Sequence, residues 1–84
     1  MRSEKIRDRL DRAFAPRHLE VIDESDGHRG HAGYQDGGES HFRVVIEAAA
    51  LASLPRIARH RAIHAAIGKD LMNEIHALAI VIRV

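Results

Sequence analysis

Residues 39–47 read Glu39-Ser40-His41-Phe42-Arg43-Val44-Val45-Ile46-Glu47. From His41 the stretch alternates as a half-buried strand does: Phe42, Val44 and Ile46 turn to a core, and His41, Arg43 and Glu47 point away. Working back toward the amino terminus, Ile6, Leu10 and Phe14 recur every fourth residue among charges, which predicts an amphipathic helix over Arg2 to Phe14. Ser3 is placed to cap its start, and Pro16 lies where it should already have ended. Leu19, Val21 and Ile22 follow in a short extended segment. Between Asp26 and Glu39 the composition changes, with Gly27, Gly30, Gly33, Gly37 and Gly38 punctuating a stretch that holds His28, His31 and Tyr34. This predicts a long loop, of a length that is usually functional or mobile.

Working forward from the strand, Ala48 to Ser53 is a linker with a helical turn. Pro55, suited to a first helical turn, opens a helix running to about Leu71 or Met72. Its expected buried face carries Ile57, His60, His64, Ile67 and Leu71, flanked by Ile63 and Ala66, and Gly68 weakens it by roughly 1 kcal/mol. His76 to Val84 is apolar on both parities, which predicts an inner strand. The order is helix, strand, strand, helix, strand. A helical crossover between the last two strands makes them parallel, so the expected architecture is α+β: one domain over residues 1–84, with helices on one face of a three-stranded mixed sheet.

Composition narrows the function. With 84 residues there is room for one modest core and little for a deep cavity. Thirteen basic side chains against 12 acidic ones are too balanced for a strong electrostatic grip on nucleic acid. The sequence has no cysteine, which excludes disulfides, thiolate metal sites and a cysteine nucleophile. The amino terminus lacks an apolar segment and no apolar run approaches the ~20 residues of a membrane span. No signal peptide, no membrane and a cytoplasmic location are therefore expected. There is no nucleophile with a base, no paired acids and no phosphate loop, so an enzyme with a small-molecule substrate is not expected.

Seven histidines remain as candidates for chemistry. His18 reads as a solvated surface residue. His41 reads as structural, hydrogen-bonding across the sheet. His60 and His64 stand four apart on a helix, a spacing that binds zinc in the His-Glu-X-X-His signature, but Arg61-Ala62-Ile63 intervene and supply no glutamate base. They are read as satisfied, partly buried histidines. Gly27-His28-Arg29-Gly30 fits the GxxG pattern of KH domains but lies between predicted strands rather than helices, so it is read as fortuitous. From spacing alone, His28, His31 and His76 carry only a weak signal.

Taken together the motifs are more specific. Ser25, His31-Ala32-Gly33, Gly38-Glu39-Ser40-His41-Phe42-Arg43-Val44, Arg59-His60-Arg61 and His76-Ala77-Leu78-Ala79-Ile80 resemble the BolA family in order and approximate spacing over nearly the whole chain. The stretch after the second strand departs from the family pattern, with Leu51 and Ser53 where an aromatic residue and a glycine are usual. The resemblance implies an α-β-β-α-β core similar to class II KH domains. It also implies pairing with a monothiol CGFS-type glutaredoxin around a bridging [2Fe-2S] cluster. The glutaredoxin then brings its cysteine and a bound glutathione thiol, and this chain brings His76 and a histidine of the loop, either His28 or His31. The isolated chain is expected to be apo. Such proteins act in iron–sulfur cluster handling or iron homeostasis. The family also implies an alternative, a KH-like DNA-binding transcriptional regulator, in which Arg56, Arg59 and Arg61 would touch phosphates. Arg59-His60-Arg61 is assigned to partner docking or to the fold, with His60 on the side of the fold.

Overall fold

A computed structural model describes residues 1–24 and 41–84. The glycine-rich stretch expected to be a loop, with the GxxG match, His28 and His31, lies outside the described residues. The elements are α1 (Arg2–Phe14), β1 (His18–Asp23), β2 (His41–Glu47), α2 (Ala49–Ala52), α3 (Arg56–Ile67), α4 (Lys69–Met72) and β3 (Ala77–Arg83). The sheet order is β1-β2-β3. β1 pairs antiparallel with β2, Val21 opposite Val44, and β2 pairs parallel with β3, Val44 opposite Ile80. The α+β, three-stranded mixed sheet expected from the pattern is thus present, with the crossover making the last two strands parallel.

One face of the sheet is covered. Ile6 and Leu10 of α1, Phe42, Val44 and Ile46 of β2, Leu51 of α2, Ile63 and Ile67 of α3 and Leu71 of α4 form one buried cluster. Leu19, Val21, Leu78, Ile80 and Ile82 pack at its margin. Full burial of side chains this size contributes about 1.5–3 kcal/mol each. The other face carries His18, Glu20 and Ile22 of β1, then His41, Arg43, Val45 and Glu47 of β2, then Ala77, Ala79, Val81 and Arg83 of β3, as the register requires. It is laced with charge. His18 Nε2 lies 2.6 Å from a Glu20 carboxylate oxygen, and Arg43 Nε donates to Glu24 at 3.0 Å. That hydrogen bond with His18 lowers the Glu20 pKa, so His18 is a half-exposed paired residue rather than a purely solvated one.

Five expectations need correction. Ser3 does not cap α1: the cap is Met1, whose carbonyl accepts from Lys5 N–H, and no side-chain cap bond forms. The predicted long helix breaks at Gly68, which takes φ +91°, a conformation open to glycine without steric penalty. Arg9 makes the break tight, donating to the Ile67 carbonyl and to both carboxylate oxygens of Asp70 at 3.0 and 3.1 Å. The buried face of α3 is Ile63 and Ile67 with Ala62 and Ala66 half-buried beside them, while Ile57, His60 and His64 are exposed. Two small alanines pack there at the margin of the core, where imidazoles would bring bulky polar rings. β3 stands at an edge of the sheet rather than inside it. Its second parity is Ala77, Ala79, Val81 and Arg83, two small side chains, a valine and a charge, which need no covering layer. Finally, His60 does not serve the fold; within Arg59-His60-Arg61 that role falls to Arg59. Its Nε donates to the carbonyls of Leu51 and Leu54, each at 2.9 Å, and Nη2 to that of Ala52 at 3.3 Å. Arg59 thus adds to the capping of a short helix, whose last carbonyls lack intrahelical partners; that of Leu51 also accepts from Leu54 N–H at 3.1 Å.

Candidate functional site

His76 is delivered to its place by a chain of constraints that begins at Gly68. After the break, α4 buries Leu71, and two tight bonds turn the chain: Glu74 N–H to Leu71 O at 3.0 Å and Ile75 N–H to Met72 O at 3.4 Å. Ile75 is buried at 8% exposure and anchors the turn in the core. Arg2 Nε reaches Glu74 at 3.5 Å, and Arg9 holds Asp70, so α1 braces the segment at two points. The Arg9 guanidinium also holds the Asp70 pKa down to about 2. The backbone then bends at His76, an exposed residue, and β3 begins with the next.

On the neighbouring strand, His41 pairs with Ala77, and this register brings two rings together. The His41 and His76 imidazoles lie with centroids 4.9 Å apart and planes inclined by 53°. Their environments are opposite. His41 is 6% exposed and is the polar residue of the buried set among the described residues. His76 faces solvent. The His41 carbonyl accepts from Glu24 N–H at 2.8 Å, and the Glu24 carboxylate turns to Arg43, which fixes the edge of the site. His41 was expected to be structural, on the outward parity of its strand. Parity is as expected, but burial and the contact with His76 were not visible, since they depend on a pairing between residues 35 positions apart.

Chemically, the pair offers imidazole nitrogens and little else. Among the described residues no three His, Cys, Asp or Glu side chains converge on one point. A metal held by imidazole here would have to take further ligands from elsewhere. A pocket of about 410 Å³ lies at the other end of the sheet, between Arg17, Glu47, Ala49, Ala52 and Arg83, away from these histidines.

The other sequence candidates are not brought together. His60 and His64 are exposed on α3, on the face that also shows Ile57 and Arg61. Arg56 and Arg61 are exposed, but Arg59 is half-buried and spent on backbone carbonyls. Five residues apart, Arg56 and Arg61 point about 140° apart around the helix, so the three arginines do not make a phosphate-binding row. No helix among the described residues is long and apolar enough to cross a membrane.

Comparison with known proteins agrees with this architecture. The family model described as BolA-like protein matches residues 10–84. An uncharacterised protein of Sinorhizobium sp is 47% identical over 93% of this chain and 85% of its own length. Human BolA-like protein 1 is 40% identical over 89% of this chain, which spans only about half (52%) of that protein. The DNA-binding transcriptional regulator BolA of Escherichia coli K12 is 39% identical over 92% of this chain and 70% of its own. Among solved structures, the BolA domain of SufE1 from Arabidopsis thaliana superposes with a TM-score of 0.80 at 35% identity, covering 98% of this chain and 90% of that one. The chain belongs to the BolA-like protein family.

Proposed function

We propose that this BolA-like protein is a non-catalytic, cytoplasmic partner of monothiol glutaredoxins, and that it shares a bridging [2Fe-2S] cluster with them in cluster assembly, trafficking or iron homeostasis. The observation that carries this reading is an exposed His76 seated against a buried imidazole at one end of the sheet. A ligand that must meet a partner's thiolates has to be reachable from outside, and this one is. His76 and one of His28 and His31 are this chain's ligands, and glutaredoxin and glutathione bring the thiolates. Imidazole in place of thiolate removes negative charge from the cluster and raises its reduction potential. Imidazole binds only when neutral, so the shared cluster loosens as pH falls. The test is reconstitution with a monothiol glutaredoxin, glutathione, ferrous iron and sulfide, followed by visible absorbance and circular dichroism. His76→Ala is expected to abolish the heterodimer spectrum. An unchanged spectrum removes His76 as a ligand.

A second reading, a DNA-binding transcriptional regulator, is favoured by the name of the Escherichia coli relative and by the exposed Arg56 and Arg61. With Arg59 bound to carbonyls, it rests on a smaller basic surface than three free arginines would give. Specific binding should survive moderate salt and excess competitor DNA, whereas ionic attachment collapses steeply with salt.

A further inference from the structure

We propose that His41 is the positioning residue of His76, holding the exposed imidazole in one orientation before any metal arrives. This rests on the reading of His76 as a ligand and adds to it a residue that does not itself bind.

His41 lies on β2, the central strand, with its backbone tied on both sides: Ala77 opposite on β3, and Glu24 N–H on its carbonyl at 2.8 Å. Its backbone, and with it the base of the ring, is therefore held by the sheet. Two residues away in parity, Val45 fills the same face of the same strand with an apolar side chain at 9% exposure. Burial and strand propensity at this position are therefore kept by a valine. The imidazole sets a flat ring against the ring of His76, 4.9 Å away at 53°.

His76 needs such a wall. It lies at a bend, before the first residue of β3, with its ring in solvent. A side chain in that position ordinarily samples several rotamers and must be fixed when it binds, at the expense of affinity. A rigid neighbour that removes those rotamers beforehand improves binding without touching the metal.

The experiment uses the full chain, isotope-labelled, with His41→Val, His41→Phe and His76→Ala. Valine keeps burial and strand propensity and removes the ring; phenylalanine keeps the ring and removes the nitrogens. If His41→Val does not fold by far-UV circular dichroism, His41→Leu serves as the ringless variant. Without metal, three-bond couplings about the His76 χ1 angle should report one rotamer in the parent and in His41→Phe, and averaging in the ringless variant. In titrations of the cluster-loaded heterodimer, followed by visible circular dichroism, the glutaredoxin concentration at half-formation should rise roughly tenfold in the ringless variant. It should stay within about twofold of the parent in His41→Phe. Unchanged couplings in the ringless variant overturn the proposal. So does a loss in His41→Phe equal to that in His41→Val, because His41 would then act through its nitrogens rather than through its ring. If His76→Ala leaves the spectrum intact, the ligand reading fails, while the couplings still decide whether His41 orders the ring.

Discussion

The outer face of α3 and the end of the sheet each present two histidines, and they present them differently. On α3, His60 and His64 are both exposed, both beside an arginine-bearing surface and both on one flexible-side-chain layer. At the sheet end, one imidazole is buried and the other exposed, and the buried one is part of the central strand. A metal approaching α3 meets two hydrated rings, each of which must be immobilised on binding. A metal approaching the sheet end meets a ring that already has a neighbour. Proximity along a helix and readiness to bind are therefore separate properties. Here the second comes from a rigid backbone behind the ligand.

The largest effect should separate the two pairs directly. In the reconstituted glutaredoxin complex, His76→Ala should remove the cluster spectrum, while a His60→Ala/His64→Ala double variant should leave it unchanged. Loss of the spectrum in the double variant would merge the two regions into one function. The next test contrasts the two faces of α3 itself. Ile63→Ala, fully buried, should lower stability by about 2–5 kcal/mol in urea unfolding. Ile57→Ala, 67% exposed, should stay within about 0.5 kcal/mol. Equal costs would show that α3 is seated on a different face. The smallest effect concerns the brace behind His76. Asp70 has its folded pKa depressed to about 2 by Arg9, so the stability it contributes is present above the unfolded carboxyl range near 4. It is lost as pH falls from there toward 2. Thermal unfolding between pH 5 and 2 should thus show a shallower acid decline in Asp70→Asn than in the parent, and equal declines would show that the pair contributes nothing. Because both side chains are solvated, the difference will be small.

Much of the frame could be read without coordinates because it depends on local periodicity. The four-residue spacing of Ile6, Leu10 and Phe14 marked α1, the alternation of Phe42, Val44 and Ile46 marked β2, and the helix between β2 and β3 implied their parallel pairing. Apart from the local one at the cap of α1, the misreadings share a cause, since they depend on partners far along the chain. The break at Gly68 is set by Arg9, nearly 60 residues earlier. The orientation of α3 depends on Ile63 and Ile67 joining a core built from distant elements, whereas imidazoles at 60 and 64 satisfy the same spacing and are easily mistaken for a buried stripe. The burial of His41 requires β3 beside it. His76 stood out only through the resemblance of the whole motif set, because a single histidine before an apolar strand has no period to reveal it.

The brace from α1 also has a mechanical consequence. Arg2 and Arg9 grip Glu74 and Asp70, on either side of the turn that leads to His76. The first helix and the segment from Lys69 to Ile75 thereby act as a strut between the amino terminus and the exposed imidazole. The turn that carries the exposed imidazole is thus tied to the amino-terminal helix as well as to the sheet, so its position is fixed from two sides of the molecule.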